Sequence, residues 1–215
     1  MLENNDSLNS KISKFDCQKV ITKKLGTENF TILNFQQLPF AEKNGYLGEH
    51  SSLNVTIEHK RMEESFTFFV KSWPEVPSQR NFLSEINGFF KEQRFFTKYY
   101  PELKKHSIDI LDDAVPACYF TNEEVIILED MKAKGYETLK SRDPMKIECV
   151  KAALVAISKL HASGLILEET KSFKLDNDFK DELKESFYAG TDSTDRAMGS
   201  SKHGIEALID LTHQD

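Results

Sequence analysis

The sequence predicts an α+β chain in which a five-stranded antiparallel sheet with one inserted helix precedes a helical segment. Three observations predict it. Leu53, Val55 and Ile57 alternate with Asn54, Thr56 and Glu58, the period-two signature of a half-buried strand. Two further apolar runs, 115–120 and 125–128, flank the polar connection 121–124, as in a hairpin. From 147 to 161 the spacing becomes helical and no longer alternates.

In chain order, the first periodic segment is 16–25, which sets Val20, Ile21 and Leu25 on one side and stops at Gly26, a natural residue just past a helix end. Residues 30–38 are β-branched and aromatic and read as the first strand. A turn at 44–50, carrying Gly45 and Gly48, leads to the second strand around 53–57. The third runs over 66–73 and ends at Pro74, which cannot continue a ladder. Phe89, Glu92 and Phe96 lie at i, i+3 and i+7, so the inserted helix presents two large apolar groups with a carboxylate between them, and Pro101 ends it. The hairpin strands 115–120 and 125–128 complete the sheet.

A Lys-rich stretch with Gly135 spans 131–144 and marks a boundary between two units, 1–130 and 131–215. In the second unit Ile147, Val150, Leu154, Ile157 and Leu160 recur at helical spacing with Ala152, Ala153 and Ala156 among them, which predicts a buried helix. Leu175, Phe179, Leu183 and Phe187 form an i+4 stripe. A polar stretch, 190–201, separates it from a short helical pattern at Ile205, Leu208 and Ile209.

The composition bounds the function. Of 215 residues, 28 are Lys or Arg and 35 Asp or Glu, a net charge of −7, with a pI near 5.5. Such a chain lacks the cationic field that collects nucleic acid or anionic membranes, so phosphate must be held locally. With apolar runs this short no membrane span is expected, and the first residues have no basic flank or apolar signal segment, so a cytoplasmic location is expected. Cys17, Cys118 and Cys149 are odd in number, without paired spacing, and predict neither disulfides nor a zinc site. Asp176 with Asp178, and Asp192 with Asp195, do not continue as a calcium loop and read as solvated.

Lys71 is the candidate for chemistry. It stands in a strand of aromatic and apolar residues, shares a face with Thr67 and Phe69, and could pair with Glu92 on the following helix. Taken alone, the residue also fits a strand lysine that snorkels to water. Gly45 and Gly48 fit either an ordinary hairpin turn or one whose backbone N–H groups cover phosphates. Glu129 to Met131 leaves a buried strand and has backbone groups that could meet an adenine edge.

Taken in order, the segments 45–50, 69–74, 89–101, 127–136 and 160–163 resemble the insect ecdysteroid kinase-like family, a branch of the choline kinase and aminoglycoside phosphotransferase group. The resemblance covers roughly residues 16–168. It implies a protein-kinase-like fold whose amino-terminal lobe is 1–130 and whose remainder, 131–215, is a hinge and an incomplete helical lobe. It implies that Lys71 contacts ATP phosphates, that Glu92 orients Lys71, and that the Gly45 to His50 turn, with Gly45 and Gly48, covers the nucleotide. Glu129 and Met131 would offer backbone hinge contacts, and His161 would be structural. The cofactors implied are ATP and Mg2+. The activity implied is transfer of the γ-phosphate to an alcohol, such as a steroid hydroxyl. The family's His-Gly-Asp catalytic loop and magnesium-binding aspartate have no counterpart here. The one His-Gly pair, His203-Gly204, is followed by Ile205, with Asp210 where an asparagine belongs, and Ile205 cannot accept a hydroxyl proton. This chain is therefore expected to be the amino-terminal part of such a kinase and inactive by itself. The alternative is a noncatalytic module that binds nucleotide or protein.

Overall fold

A computed structural model describes residues 11–40, 47–137, 145–171, 173–186 and 206. Helix α1 (Lys14–Leu25) opens on a reciprocal cap in which the Asp16 N–H donates to the Ser13 hydroxyl while the Asp16 carboxylate accepts from the Ser13 N–H. That cap starts the helix before Asp16, where apolar spacing alone would begin it. Gly26, at φ 69°, closes it in the left-handed region.

Strands β1 (Thr31–Pro39), β2 (Glu49–His59), β3 (Met62–Ser72), β4 (Cys118–Thr121) and β5 (Val125–Glu129) form one antiparallel sheet in the order β1-β2-β3-β5-β4. The β2–β3 turn has only two residues, Lys60 and Arg61, both at positive φ (52° and 61°), as a type I′ hairpin demands. Strand β4 begins at Cys118, later than the apolar run suggests, because Pro116 has no N–H for a ladder.

Alternation divides the sheet. Leu53, Val55 and Ile57 of β2, Phe68 and Val70 of β3, and Val125 and Ile127 of β5 pack on Cys17, Val20 and Ile21 of α1. Each fully buried aliphatic side chain there stabilises the fold by about 1.5–3 kcal/mol. Ile126 and Leu128 point the other way, against Leu83 and Phe89. Strand β5 is thus covered on both faces, which explains why 125–128 is continuously apolar.

Three α-helices stand between β3 and β4 where the sequence suggested one, the first two being α2 (Pro77–Glu85) and α3 (Gly88–Arg94). From α3 the chain continues through a π-helical turn (Phe95–Tyr99) into α4 (Tyr100–Lys105), so Pro101 does not end the helix. In the π turn the Tyr100 N–H already reaches back five residues to the Phe95 carbonyl, and the widened backbone accommodates a proline that has no N–H to place.

After a short 3₁₀ turn (Lys132–Lys134), helix α5 (Ile147–Lys171) runs on well past His161. Gly164 does not interrupt it: a Cβ there would lie 3.0 Å from Leu175 Cδ1 and 3.4 Å from Tyr99 Oη, so its absence lets α5 approach both. The i+4 stripe splits at Phe179 into α6 (Leu175–Asp178) and α7 (Lys180–Leu183), and Phe179 itself is buried.

Two expectations about α5 are corrected. Its apolar surface is largely uncovered among the described residues, with Leu154 at 59% exposure and Val155, Ile157 and Leu165 also exposed. The residues that do cover it, on the π turn and around α6, meet only one side, at Ser163, Gly164 and Leu167. Interspersed small and polar residues hide a second fact from a search for unbroken apolar runs. The segment Ile147–Thr170 is long and apolar enough to cross a membrane, with a mean hydropathy of 1.5 over its most apolar window, of which 17% is buried. Gly45, Phe187, the stretch 190–201 and the pattern at 205–209 lie outside the described residues, Glu206 excepted.

Candidate functional site

The site lies on the sheet face opposite α1. Alternation along β3 sends Phe68, Val70 and Ser72 toward α1, which leaves Phe69 and Lys71 on the other face beneath α3. Helix α3 is anchored there by Phe89, which is buried among Leu83, Ile126 and Leu128 and lies with its ring centroid 4.9 Å from that of Trp73. One helical turn beyond Phe89, Glu92 faces the strand, and the Lys71 ammonium donates to its carboxylate. Both side chains are half-buried, with 26% and 31% of their surfaces exposed. The pair is shielded on one side and open on the other. A lysine so placed is held in one direction.

The amino-terminal end of β2 closes over this lysine. His50 is paired with Lys71 in the β2–β3 register and Glu49 with Ser72. Gly48 comes closest: a Cβ built on it would stand 3.4 Å from Lys71 Cε and 3.4 Å from the Ser72 carbonyl. A larger side chain would fill the space beside the ammonium. The apolar wall is formed by Leu47, Phe69 and Leu128, with the Phe40 and His50 rings 6.0 and 5.1 Å from that of Phe69. Half-buried Cys118 belongs to the same cluster; burial pushes its thiol up, and the Glu92 charge adds to the effect.

Glu129 and Met131 sit at the end of β5 and just after it. The Glu129 carboxylate points to the α1 side of the sheet and pairs with Lys134 at 2.8 Å, which holds it below the usual carboxylate range. Its N–H donates to the Ala117 carbonyl at 2.8 Å, and the Met131 carbonyl accepts from the N–H groups of Lys134 and Tyr136, each at 3.1 Å. His161 lies apart from Lys71, on the exposed surface of α5. It borders a cavity of about 640 Å³ lined also by Phe95, Tyr99, Leu160, Phe179 and Leu183, and by neither Lys71 nor Glu92.

The structure therefore brings Lys71, Glu92 and Gly48 together, and sets Glu129 and Met131 along the neighbouring strand. Sequence reasoning had His50 only as the end of the turn expected to cover the nucleotide, and it missed the cavity. His50 was legible in principle, because it lies in phase with Ser52 and Asn54 on the face that β2 does not bury.

A sequence model of the ecdysteroid kinase-like family matches residues 42–215. The chain belongs to that family. No curated protein and no solved structure matches it. In this ecdysteroid kinase-like chain the matched span opens just before the Gly48 turn and takes in every element from β2 onward, so Lys71, Glu92, Glu129 and Met131 all fall inside it. Helix α1 and strand β1 precede it.

Kinase chemistry in such a family implies ATP and Mg2+. The donor set facing Lys71 fits phosphate, since it offers a cation and a close backbone approach at Gly48. It does not fit a divalent metal. Glu92 is engaged by Lys71, and no group of three or more His, Cys, Asp or Glu side chains that could hold a metal occurs among the described residues.

Proposed function

We propose that this chain is the ATP-binding part of a small-molecule kinase of protein-kinase-like fold, in which residues 1–130 form the nucleotide-binding lobe and 131–215 the hinge and a helical segment. The observation that carries the reading is the Lys71–Glu92 ion pair. It joins a lysine on the third strand to a carboxylate on α3, the second helix after that strand, over one face of an antiparallel sheet ordered β1-β2-β3-β5-β4. In protein kinases a strand lysine held by a helix glutamate is the group that meets nucleotide phosphates. Here Lys71 would neutralise phosphate charge, Glu92 would fix its direction, and the Gly45 to Gly48 turn would approach the phosphates with backbone N–H groups. The apolar wall of Leu47, Phe69 and Leu128 would take the base. The Glu129 carbonyl and the Met131 N–H would face an adenine edge, while the Glu129 N–H and the Met131 carbonyl bond within the chain.

The reaction of the complete machinery is attack of an alcohol oxygen on the γ-phosphorus with departure of ADP. The acceptor would be an alcohol, ecdysteroid-like or another small hydroxyl compound. Within these 215 residues no side chain stands in the position of the base, because Ile205 follows His203-Gly204, and so the chain binds ATP without turning it over. That substitution also favours the second reading, a noncatalytic module. ATP as ligand and three free thiols accord with a cytoplasmic protein.

Thermal melting with and without ATP tests the proposal. A ligand at 100 times its dissociation constant adds about 2.7 kcal/mol, so the melting midpoint rises with ATP, and Lys71→Ala abolishes the rise. No shift at millimolar ATP overturns the reading. Mg2+-dependent phosphorylation of an alcohol by the purified chain would overturn the assignment of inactivity.

A further inference from the structure

We infer that residues 178–186 act as a strap that sets the pose of α3, with Glu182 as the positioning residue that keeps Glu92 on Lys71. The inference rests on the ATP-binding reading above and adds to it a segment to which neither the family match nor the ion pair assigns a role. The strap runs antiparallel to the helix it holds and meets it at four levels. Lys98 Nζ donates to the Asp178 carbonyl at 2.6 Å, and Arg94 Nε and Lys98 Nζ donate to the Glu182 carboxylate at 2.9 and 3.1 Å. Lys91 Nζ donates to the Lys184 carbonyl at 2.7 Å, and the Ser186 hydroxyl donates to the Ile86 carbonyl at 2.6 Å. As the strap advances from 178 to 186 its partners step back from 98 to 86, so it spans α3 from before its first residue to past its last. Glu182 lies at its centre, with 11% of its side chain exposed, between Arg94 and Lys98, which keep 41% and 37% of theirs in water.

The placement of these bonds on the helix links the strap to the Lys71–Glu92 pair. At about 100° per residue, Lys91 and Arg94 stand about 100° and 160° round α3 from Glu92, in the same sense. The strap therefore grips the side turned away from the lysine. On the other side Phe89 is buried among Leu83, Ile126 and Leu128, and apolar packing of that kind holds the helix to the sheet without fixing its rotation. Directional hydrogen bonds fix rotation. The helix itself supplies little rigidity: it has seven residues, its N-cap Asn87 stands at φ 52° and makes no side-chain cap, and it passes directly into the π turn. A helix this short takes its order from what it packs against. With Glu182 removed, Arg94 and Lys98 lose their shared acceptor, α3 is free to turn, and Glu92 no longer holds Lys71 in the one direction that phosphate needs.

Isothermal titration of the full chain with ATP and, separately, with adenosine tests this role, because only the phosphates depend on Lys71. Glu182→Ala should weaken ATP binding by about fivefold or more, the scale of coupling between two sites, and adenosine binding by less than about twofold. In a Glu92→Ala background the same change should weaken ATP binding by less than about twofold, since nothing is left to position. Ser186→Ala, which removes a single bond at the far end of the strap, should give the same ATP-selective loss on a smaller scale. Trp73, the single tryptophan, reads the pose of α3 without ligand, its ring centroid lying 4.9 Å from that of Phe89. Its emission should shift in Glu182→Ala while far-ultraviolet circular dichroism shows the chain folded. Equal losses for ATP and adenosine would overturn the inference, since Glu182 would then serve the fold alone. So would a Glu182→Ala loss that persists in full without Glu92, or ATP affinity unchanged in Glu182→Ala alongside a loss in Lys71→Ala. A wild-type chain that binds no ATP overturns the nucleotide reading, and an unmoved Trp73 emission in Glu182→Ala then overturns the strap as well.

Discussion

The Tyr99 phenol donates its proton to Ser163 Oγ across 2.8 Å, because the serine's own proton is committed to the Leu160 carbonyl, 2.7 Å away. This bond ties the π turn, and with it the helix that carries Glu92, to the middle of α5. Burial raises the Tyr99 pKa, so the phenol stays a donor throughout the neutral range. Tyr99→Phe removes the donor but leaves Ser163 bonded to Leu160, and the expected loss is about 1 kcal/mol. Urea denaturation of Tyr99→Phe, Ser163→Ala and the double variant checks it. The two changes should be clearly non-additive, as expected of groups in one hydrogen-bonded chain.

Gly48 guards the space beside Lys71. Its backbone is outside the left-handed region, and an added Cβ meets neighbours at 3.4 Å, so Gly48→Ala should fold with a stability change within about 0.5 kcal/mol. Gly48→Leu carries three further carbons toward the ammonium. It should lose the ATP-dependent rise in melting midpoint while its ligand-free midpoint stays close to that of Gly48→Ala.

A pH dependence follows from Glu182. Its carboxylate accepts from Arg94 Nε at 2.9 Å and from Lys98 Nζ at 3.1 Å. Burial works to raise its pKa, but hydrogen bonds from its own backbone, Arg94 and Lys98 together bring it below the ordinary 4.5. A carboxylate depressed in the folded state stabilises fully above its unfolded pKa and loses that contribution as pH falls through the folded value. Equilibrium unfolding from pH 7 down to about 3 should show Glu182→Gln less stable at neutral pH and less sensitive to acid than the wild type. Parallel curves would show that Glu182 contributes nothing to the acid limb.

The β2–β3 turn stores strain that substitution can release. Lys60 and Arg61 both adopt positive φ, at about 1–2 kcal/mol each for an L-residue. Lys60→Asn with Arg61→Gly supplies the pair such turns prefer, and after the entropic penalty of glycine the expected gain is up to about 1 kcal/mol. Differential scanning calorimetry of the double variant should show a higher midpoint with ATP binding unchanged.

That same turn shows why part of the site was hidden in the sequence. A two-residue connection at Lys60 and Arg61 sets the pairing along the whole hairpin and places His50 opposite Lys71. The dipeptide has none of the glycine or asparagine that announces a type I′ turn, so the register could not be read, and with it the partner of Lys71. The Lys71–Glu92 pair was legible because its two constraints are local. One is a cation in an apolar strand; the other is a carboxylate flanked by Phe89 and Phe96 on a single helical face. The fate of Pro101 was not legible, since only the π turn before it removes the clash that ordinarily stops a helix.

By itself the sequence determined the alternation of the strands, the helical period of α1, α3 and α5, the candidate lysine with its carboxylate, and membership in the ecdysteroid kinase-like family. These depend on side-chain type at short spacing, where the backbone period alone decides which face a residue occupies. The tertiary structure decided that β5 is covered on both faces, that Gly164 lets α5 meet Leu175 and Tyr99, that α5 leaves most of its apolar surface exposed, and that His50 stands opposite Lys71. Each of those depends on contacts between residues far apart in the chain, and whether an apolar or polar side chain is covered is settled by the element that arrives over it.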